Sequence, residues 1–235
     1  MTIVSEHGHP QGDLRLGWFP LTIAILRVTV PPSMTKVTQR AKQKLDTRER
    51  IRAAAWELFT TDGYDETTTK AVAERAGVAT GTVFVHARDK ADLLALVLGD
   101  RIRDTVDEGF ASLPRGGLIA QWMHLFGRLF RMYAEHPKLS GAFVRSVPAS
   151  DKGPNGQALD AYTFAFLHRL GTLVASASQR GELRRDVPSD AAARNAFALY
   201  LFALTAMLGG YVPLDAALVS LRESLELQVR GLKKG

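Results

Sequence analysis

No cysteine occurs in the 235 residues. That absence excludes a disulfide scaffold, a thiolate metal site and a cysteine nucleophile, and it fits a reducing cytosol. Long apolar runs are missing too. The stretch Leu21–Val30 falls short of the roughly 20 residues that span a bilayer, and Arg27 interrupts it. It also lacks the positive flank and small-residue cleavage site of a signal peptide, since Glu6, Asp13 and two histidines precede it. Catalytic signatures are absent: there is no G-x-S-x-G, G-x-x-x-x-G-K-[ST], H-E-x-x-H or G-x-G-x-x-G. His124, His136 and His168 lack the spacing that pairs two ligands on one helix. The sequence therefore predicts no catalytic residue, no metal and no cofactor. Strand signals are scarce after residue 34.

What is present is ordinary globular material, 46% hydrophobic and 23% charged. The net charge of +6 is concentrated: residues 34–52 carry seven bases (Lys36, Arg40, Lys42, Lys44, Arg48, Arg50, Arg52) against Asp46 and Glu49. Such a run is either a solvated tail or an arm for an acidic polymer. Residues 1–33 read as separate from the folded unit: an upstream extension ahead of a natural start at Met34, a disordered tail, or an anchor.

From Asp46 onward the pattern is helical. Asp46 or Thr47 can cap a helix carrying Ile51, Ala54, Ala55, Leu58 and Phe59 at helical spacing, stopped by Asp62-Gly63. Thr67 or Thr68 opens a second, ended by Gly77, and residues 79–86 form a third. Asp89, with Asp92 three residues on as a near capping box, opens a long fourth helix. Further helices are expected at 118–135, 137–146, 157–180, 189–209 and 214–231, separated by proline and glycine breaks. The predicted fold is all-α.

The second and third helices meet the demands of a helix-turn-helix. Ala73 is small where the helices cross, Gly77 permits a left-handed turn, and Val83 anchors the second helix. Val72, Ala76 and Val78 fill the space between. An ordinary tight helical corner is the plainer alternative.

Thr47 to Leu94 resembles the amino-terminal domain of TetR-type bacterial transcriptional repressors. The matching residues are Phe59, Gly63-Tyr64, Thr67-Thr68, Val72-Ala73, Ala76-Gly77-Val78, Gly81-Thr82, His86 and Lys90 with Leu93-Leu94. Phe84 stands where the family usually has a phosphate-touching tyrosine, and Ala87 where it has an aromatic. The resemblance implies a three-helix helix-turn-helix DNA-binding domain (46–94) followed by a helical bundle for ligand binding and dimerisation (95–235). Residues 1–45 are then an extension with a basic arm, expected to be disordered.

On that reading the third helix enters the major groove with Thr80, Gly81 and Thr82, then Phe84, Val85 and His86. None is Arg, Lys, Asn or Gln, so apolar contacts and DNA shape carry much of the specificity. Phosphate contacts fall to Thr68, His86, Lys90, Lys42 and Lys44. His86 is equally readable as a packed corner residue.

Dimerisation is expected through the last two helices, by Phe197, Tyr200, Leu201, Leu204, Leu218, Leu221 and Leu225, unless these pack within their own subunit. Two reading helices then match a palindromic operator. The resemblance implies an effector pocket among the middle helices. Trp122, Phe126, Phe130, Tyr133, Phe164 and His168 are the candidates for a hydrophobic effector, although aromatics at helical spacing are more often core. The long helix after Lys90 links the two halves, and shifting it would change the separation of the reading helices. The expected protein is a cytoplasmic, homodimeric repressor that binds double-stranded DNA and no membrane. A DNA binder without effector, constitutive or nucleoid-associated, is the alternative.

Overall fold

Every regular element among the described residues is an α-helix. The computed structural model describes residues 32–149 and 153–233. In chain order the helices are α1 (Pro32–Thr61), α2 (Thr69–Ala76), α3 (Thr80–His86), α4 (Lys90–Ala111), α5 (Leu118–Glu135), α6 (Pro137–Ala149), α7 (Pro154–Gln179), α8 (Ser189–Leu208) and α9 (Leu214–Leu232). The chain divides into residues 1–40 and 41–235. Of the first unit only the opening of α1 is described, and the expectations for residues 1–31 lie outside the described residues.

The first helix corrects the sequence reading. It starts at Pro32, not near Asp46, so the basic stretch up to residue 45 is helical and not a disordered arm. Pro32 suits a first helical turn, and no proline or glycine follows before Thr61. Lys, Arg, Gln, Ala and Leu in between are strong helix formers. Asp46 is therefore interior, 3.9 Å from Arg50 one turn on, and caps nothing.

Ile51, Ala55, Phe59, Val72, Ala73 and Val83 of α1, α2 and α3 form one end of the hydrophobic core. Thr68 caps α2, its Oγ1 accepting from Ala71 N at 3.1 Å. Gly77 ends α2 in the left-handed conformation, φ +63°. Val78 N donates to Ala73 O and Gly77 N to Glu74 O, the paired arrangement of a Schellman ending.

Arg50 completes that turn. Its Nη2 donates to Ala76 O at 2.7 Å and Gly77 O at 2.9 Å, and its Nε to Ala76 O at 3.1 Å. A cation thus sits on the negative end of α2, where orphan carbonyls collect.

The same core continues along α4, where Leu93–Leu98 are all buried. Helices α5, α6 and α7 pack on α4, α8 packs on α7, and α9 on α8 and α5. Trp122, Phe126, Phe130, Leu170, Leu204 and Leu221 fill the middle. Phe126 stacks on Tyr200 at 4.8 Å between ring centroids.

Replacing Arg50 by alanine should therefore cost about 1–2 kcal/mol of stability, the range for hydrogen bonds to a charged group and a filled helix end. Arg50→Lys should recover only part, because an ammonium lacks the fork. Chemical denaturation of the two variants beside the parent protein measures this; identical midpoints for all three would show that the turn closes without the guanidinium.

Candidate nucleic-acid interface and apolar cavity

Helix α3 is held from behind and bare in front. Val83 and His86 are buried, whereas Ala79, Thr80, Gly81, Phe84 and Val85 are exposed. Phe84 is 50% and Val85 67% accessible, a large apolar surface for so short a helix. No side chain caps its amino terminus at Ala79, and Thr82 N donates to Ala79 O at 2.8 Å.

Of the predicted contacts, His86 is drawn inward. It is only 8% exposed. Burial, with the charges of Lys44 and Arg48, pushes its imidazole below the ordinary histidine value. Its neutral form is thereby favoured.

The cations divide by duty. Arg48 reaches Asp100 of α4 at 3.5 Å, Arg52 pairs with Glu49, and Arg50 closes the turn after α2. Lys42 and Lys44 stay exposed. Lys90 donates to Asp65 O at 2.9 Å and Thr67 O at 3.1 Å, and lies 4.6 Å over the Tyr64 ring. Its ammonium fastens the α1–α2 connection. Thr68 spends its hydroxyl oxygen on the cap of α2.

The bundle holds an apolar cavity of about 230 Å³ between α4, α5, α6, α7 and α8. Val144 and Val147 of α6, Leu159 and Thr163 of α7, and Tyr133 and Tyr200 from the core form much of its wall. Burial pushes both phenols upward, and Tyr200 is raised further by its proximity to Tyr133. Both are therefore neutral and able to donate. Tyr162 contributes its ring, while its hydroxyl turns to Asp107 at 3.1 Å and Arg103 O at 3.2 Å. Burial and Asp107 push that phenol up to about 12.

Five of the six predicted pocket residues lie elsewhere. Trp122, Phe126 and Phe130 are fully buried core and do not line the cavity. Phe164 is 71% exposed and His168, one turn on, is also exposed. The face of α7 turned to the cavity carries Leu159, Thr163 and Phe166, and two residues along a helix rotate a side chain to nearly the opposite side. Tyr133 alone of the six lines the cavity.

The predicted dimer residues are similarly displaced. Tyr200, Leu204, Leu221 and Leu225 are buried in their own subunit, and Phe197 and Leu218 are half-buried. Only Leu201 of the set is exposed. In and after α8 the other large exposed apolar groups among the described residues are Phe202 at 74%, Tyr211, Val219 and Leu227. Helix α8 is apolar on nearly every side, long and apolar enough to cross a membrane by length and composition alone. Periodicity therefore could not show which side faces inward.

Comparison with known proteins agrees with this architecture. Residues 51–97 match the profile of the bacterial regulatory proteins, tetR family. Over 113 residues, 47% of this chain, the sequence is 32% identical to the HTH-type transcriptional repressor KstR of Mycolicibacterium smegmatis, covering 54% of that protein. The chain spans about half the length of the curated relatives it matches. Among solved structures, FadR of Thermus thermophilus in complex with lauroyl-CoA is 26% identical with a TM-score of 0.57, covering 80% of this chain and 96% of that one. FadR of Bacillus subtilis in complex with stearoyl-CoA, 18% identical, shares the fold at a TM-score of 0.62, covering 78% and 98%. Residues 51–97 thus resemble the tetR family of bacterial regulatory proteins, and the helical body shares the fold of the FadR structures.

Proposed function

We propose that this protein is a DNA-binding transcriptional regulator, a repressor that a small hydrophobic effector releases from a palindromic operator. The carrying observation is the front of α3: small and apolar side chains left in water on a helix whose back is locked by Val83 and His86. Such a face fits a major groove, where Thr80 and Thr82 can bond base edges and Phe84 and Val85 can cover thymine methyl groups. Exposed Lys42 and Lys44 add phosphate contacts.

A palindrome is proposed because one such helix covers one half-site, and a two-fold dimer supplies the second. The dimer surface is taken to be the outward face of α8 and α9 around Leu201, Phe202, Val219 and Leu227. It accounts for the apolar outer side of α8 without a membrane.

The effector reading rests on the cavity. An apolar wall with two neutral phenols suits a ligand that is mostly hydrocarbon with one acceptor. The FadR relatives hold lauroyl-CoA and stearoyl-CoA, which makes a fatty acyl chain the first ligand to try.

Three outcomes are expected. Duplex affinity should fall with salt, with a log–log slope of about −0.9 per phosphate neutralised, and Lys42→Ala with Lys44→Ala should flatten the slope by close to two contacts. An unchanged slope removes α1 from the interface. Exchanging thymine for uracil in a duplex selected by the protein should weaken binding about fourfold for each methyl covered, ~0.8 kcal/mol. That sensitivity should shrink in Phe84→Ala and Val85→Ala, and a duplex indifferent to the exchange would assign the apolar face another role. Finally, calorimetry of lauroyl-CoA into free and duplex-bound protein should show weaker binding to the complex, by the same factor as the acyl-CoA weakens DNA binding. Equal affinities would favour a constitutive DNA binder.

A further inference from the structure

The amino terminus of α7 is tied directly to the end of the recognition helix. Asn155, in the first turn of α7, donates through Nδ2 to His86 O, the last carbonyl of α3, at 2.8 Å. The same Nδ2 donates to Asp92 Oδ2 at 3.0 Å. Asp92 is 3% exposed. Its Oδ1 accepts the backbone N–H of Asn155 and of Gly156, each at 2.9 Å, and its Oδ2 accepts Arg88 N at 3.0 Å. A carboxylate of α4 thus caps α7 across 63 residues of sequence while bracing the α3–α4 connection. Contact is tight: a Cβ on Gly153 would lie 2.4 Å from the Asp92 carboxyl.

The other end of the same segment is cavity wall. Leu159, one turn beyond Asn155, lines the cavity, as do Asp160, Thr163 and Phe166. Four residues of helix are about 6 Å of stiff rod. Anything that displaces the cavity side of α7 must therefore move Asn155, and with it a hydrogen bond to α3.

We propose that Asn155, seated by Asp92, is the positioning residue through which the state of the cavity reaches the recognition helix. This rests on the reading of the protein as an effector-controlled DNA binder. An empty cavity leaves the first turn of α7 seated and His86 O held, which fixes the pose of α3. A filled cavity pushes α7 outward, and the 2.8 Å bond to His86 O is the first link to feel it. Occupancy acts only to the extent that it favours one of these arrangements over the other.

The test mimics occupancy with a larger side chain, so it needs no identified effector. Full-length protein is compared in four forms: parent, Val144→Phe, Asn155→Ala and the double variant. Asn155→Ala removes the side-chain bonds but keeps both backbone N–H groups on Asp92, so the cap of α7 survives. Thr163→Phe serves as a second filler and Asn155→Ser as a second junction variant, each checked by cooperative melting. Two readouts are taken: affinity for a duplex selected from random sequence by the parent, and amide hydrogen exchange across residues 83–93. In the parent junction the filler should weaken duplex binding about fivefold or more and speed that exchange. In the Asn155→Ala background both effects should shrink below about twofold, the signature of a coupled pair. A filler effect of equal size in both backgrounds would overturn the proposal, and so would a filler that leaves the exchange unchanged in the parent. If the parent binds no duplex, the DNA-binding reading fails by itself, and the exchange arm still decides whether cavity and recognition helix are joined through Asn155.

Discussion

Burying a carboxylate costs several kcal/mol unless its lone pairs are filled, and Asp92 fills them with four N–H donors from two distant parts of the chain. Those donors come from the connection between α3 and α4 and from the first turn of α7. Because the penalty for separating them is that of an uncompensated buried charge, α3 and the bundle cannot drift apart by small steps. The rest of the arrangement depends on this junction. The leucine-rich face of α4 supplies the adhesion, but apolar contact is non-directional and would tolerate several orientations of the first three helices. The Asp92 cap selects one.

Charge is distributed with similar economy. A run of seven bases reads as a single polyanion-binding arm, yet Arg48, Arg50 and Arg52 are turned onto Asp100, the end of α2 and Glu49. Arginine serves these places because a planar fork can satisfy adjacent carbonyls or a carboxylate at once. The exposed Lys42 and Lys44 are of the kind that suits mobile phosphate contact. His86 is buried, and that burial, with the charges of Lys44 and Arg48, lowers its pKa.

Local chemistry was legible in the sequence, and phase was not. The helix-turn-helix could be placed residue by residue, because a small residue at the crossing, a left-handed glycine and an apolar anchor at fixed offsets have few other uses. The boundaries of α5 and α9 followed from proline and glycine. What escaped was anything requiring knowledge of which side a helix turns inward. On α7 the exposed Phe164 and buried Phe166 look equally apolar in sequence, and on α8 nearly every position does. Asp92 was visible as a partner of the Asp89 cap, but its oxygens go to Arg88 N and to α7 instead. A contact between residues 63 apart leaves no local pattern. Arg50 was hidden for the same reason, submerged in a charge run whose meaning differs from one helical position to the next.

The uniform apolarity of α8 then has a physical cause. Tyr200 and Leu204 face the aromatic core, Phe197, Leu201 and again Leu204 face the cavity, and Phe202 faces outward. From Ala196 to Leu208 a helix that lies on both the core and the cavity wall carries no charge, so its hydrophobic period fades. The same crowding joins the functions. Leu201 belongs both to the cavity wall and to the exposed strip beside Phe202. A ligand that presses on α8 from inside therefore acts on the surface proposed to meet a second subunit, while one that presses on α7 acts on Asn155 and the recognition helix. Because close-packed walls shift as units and do not yield locally, the cavity of about 230 Å³ joins the outer strip of α8 to the Asn155 junction of α7.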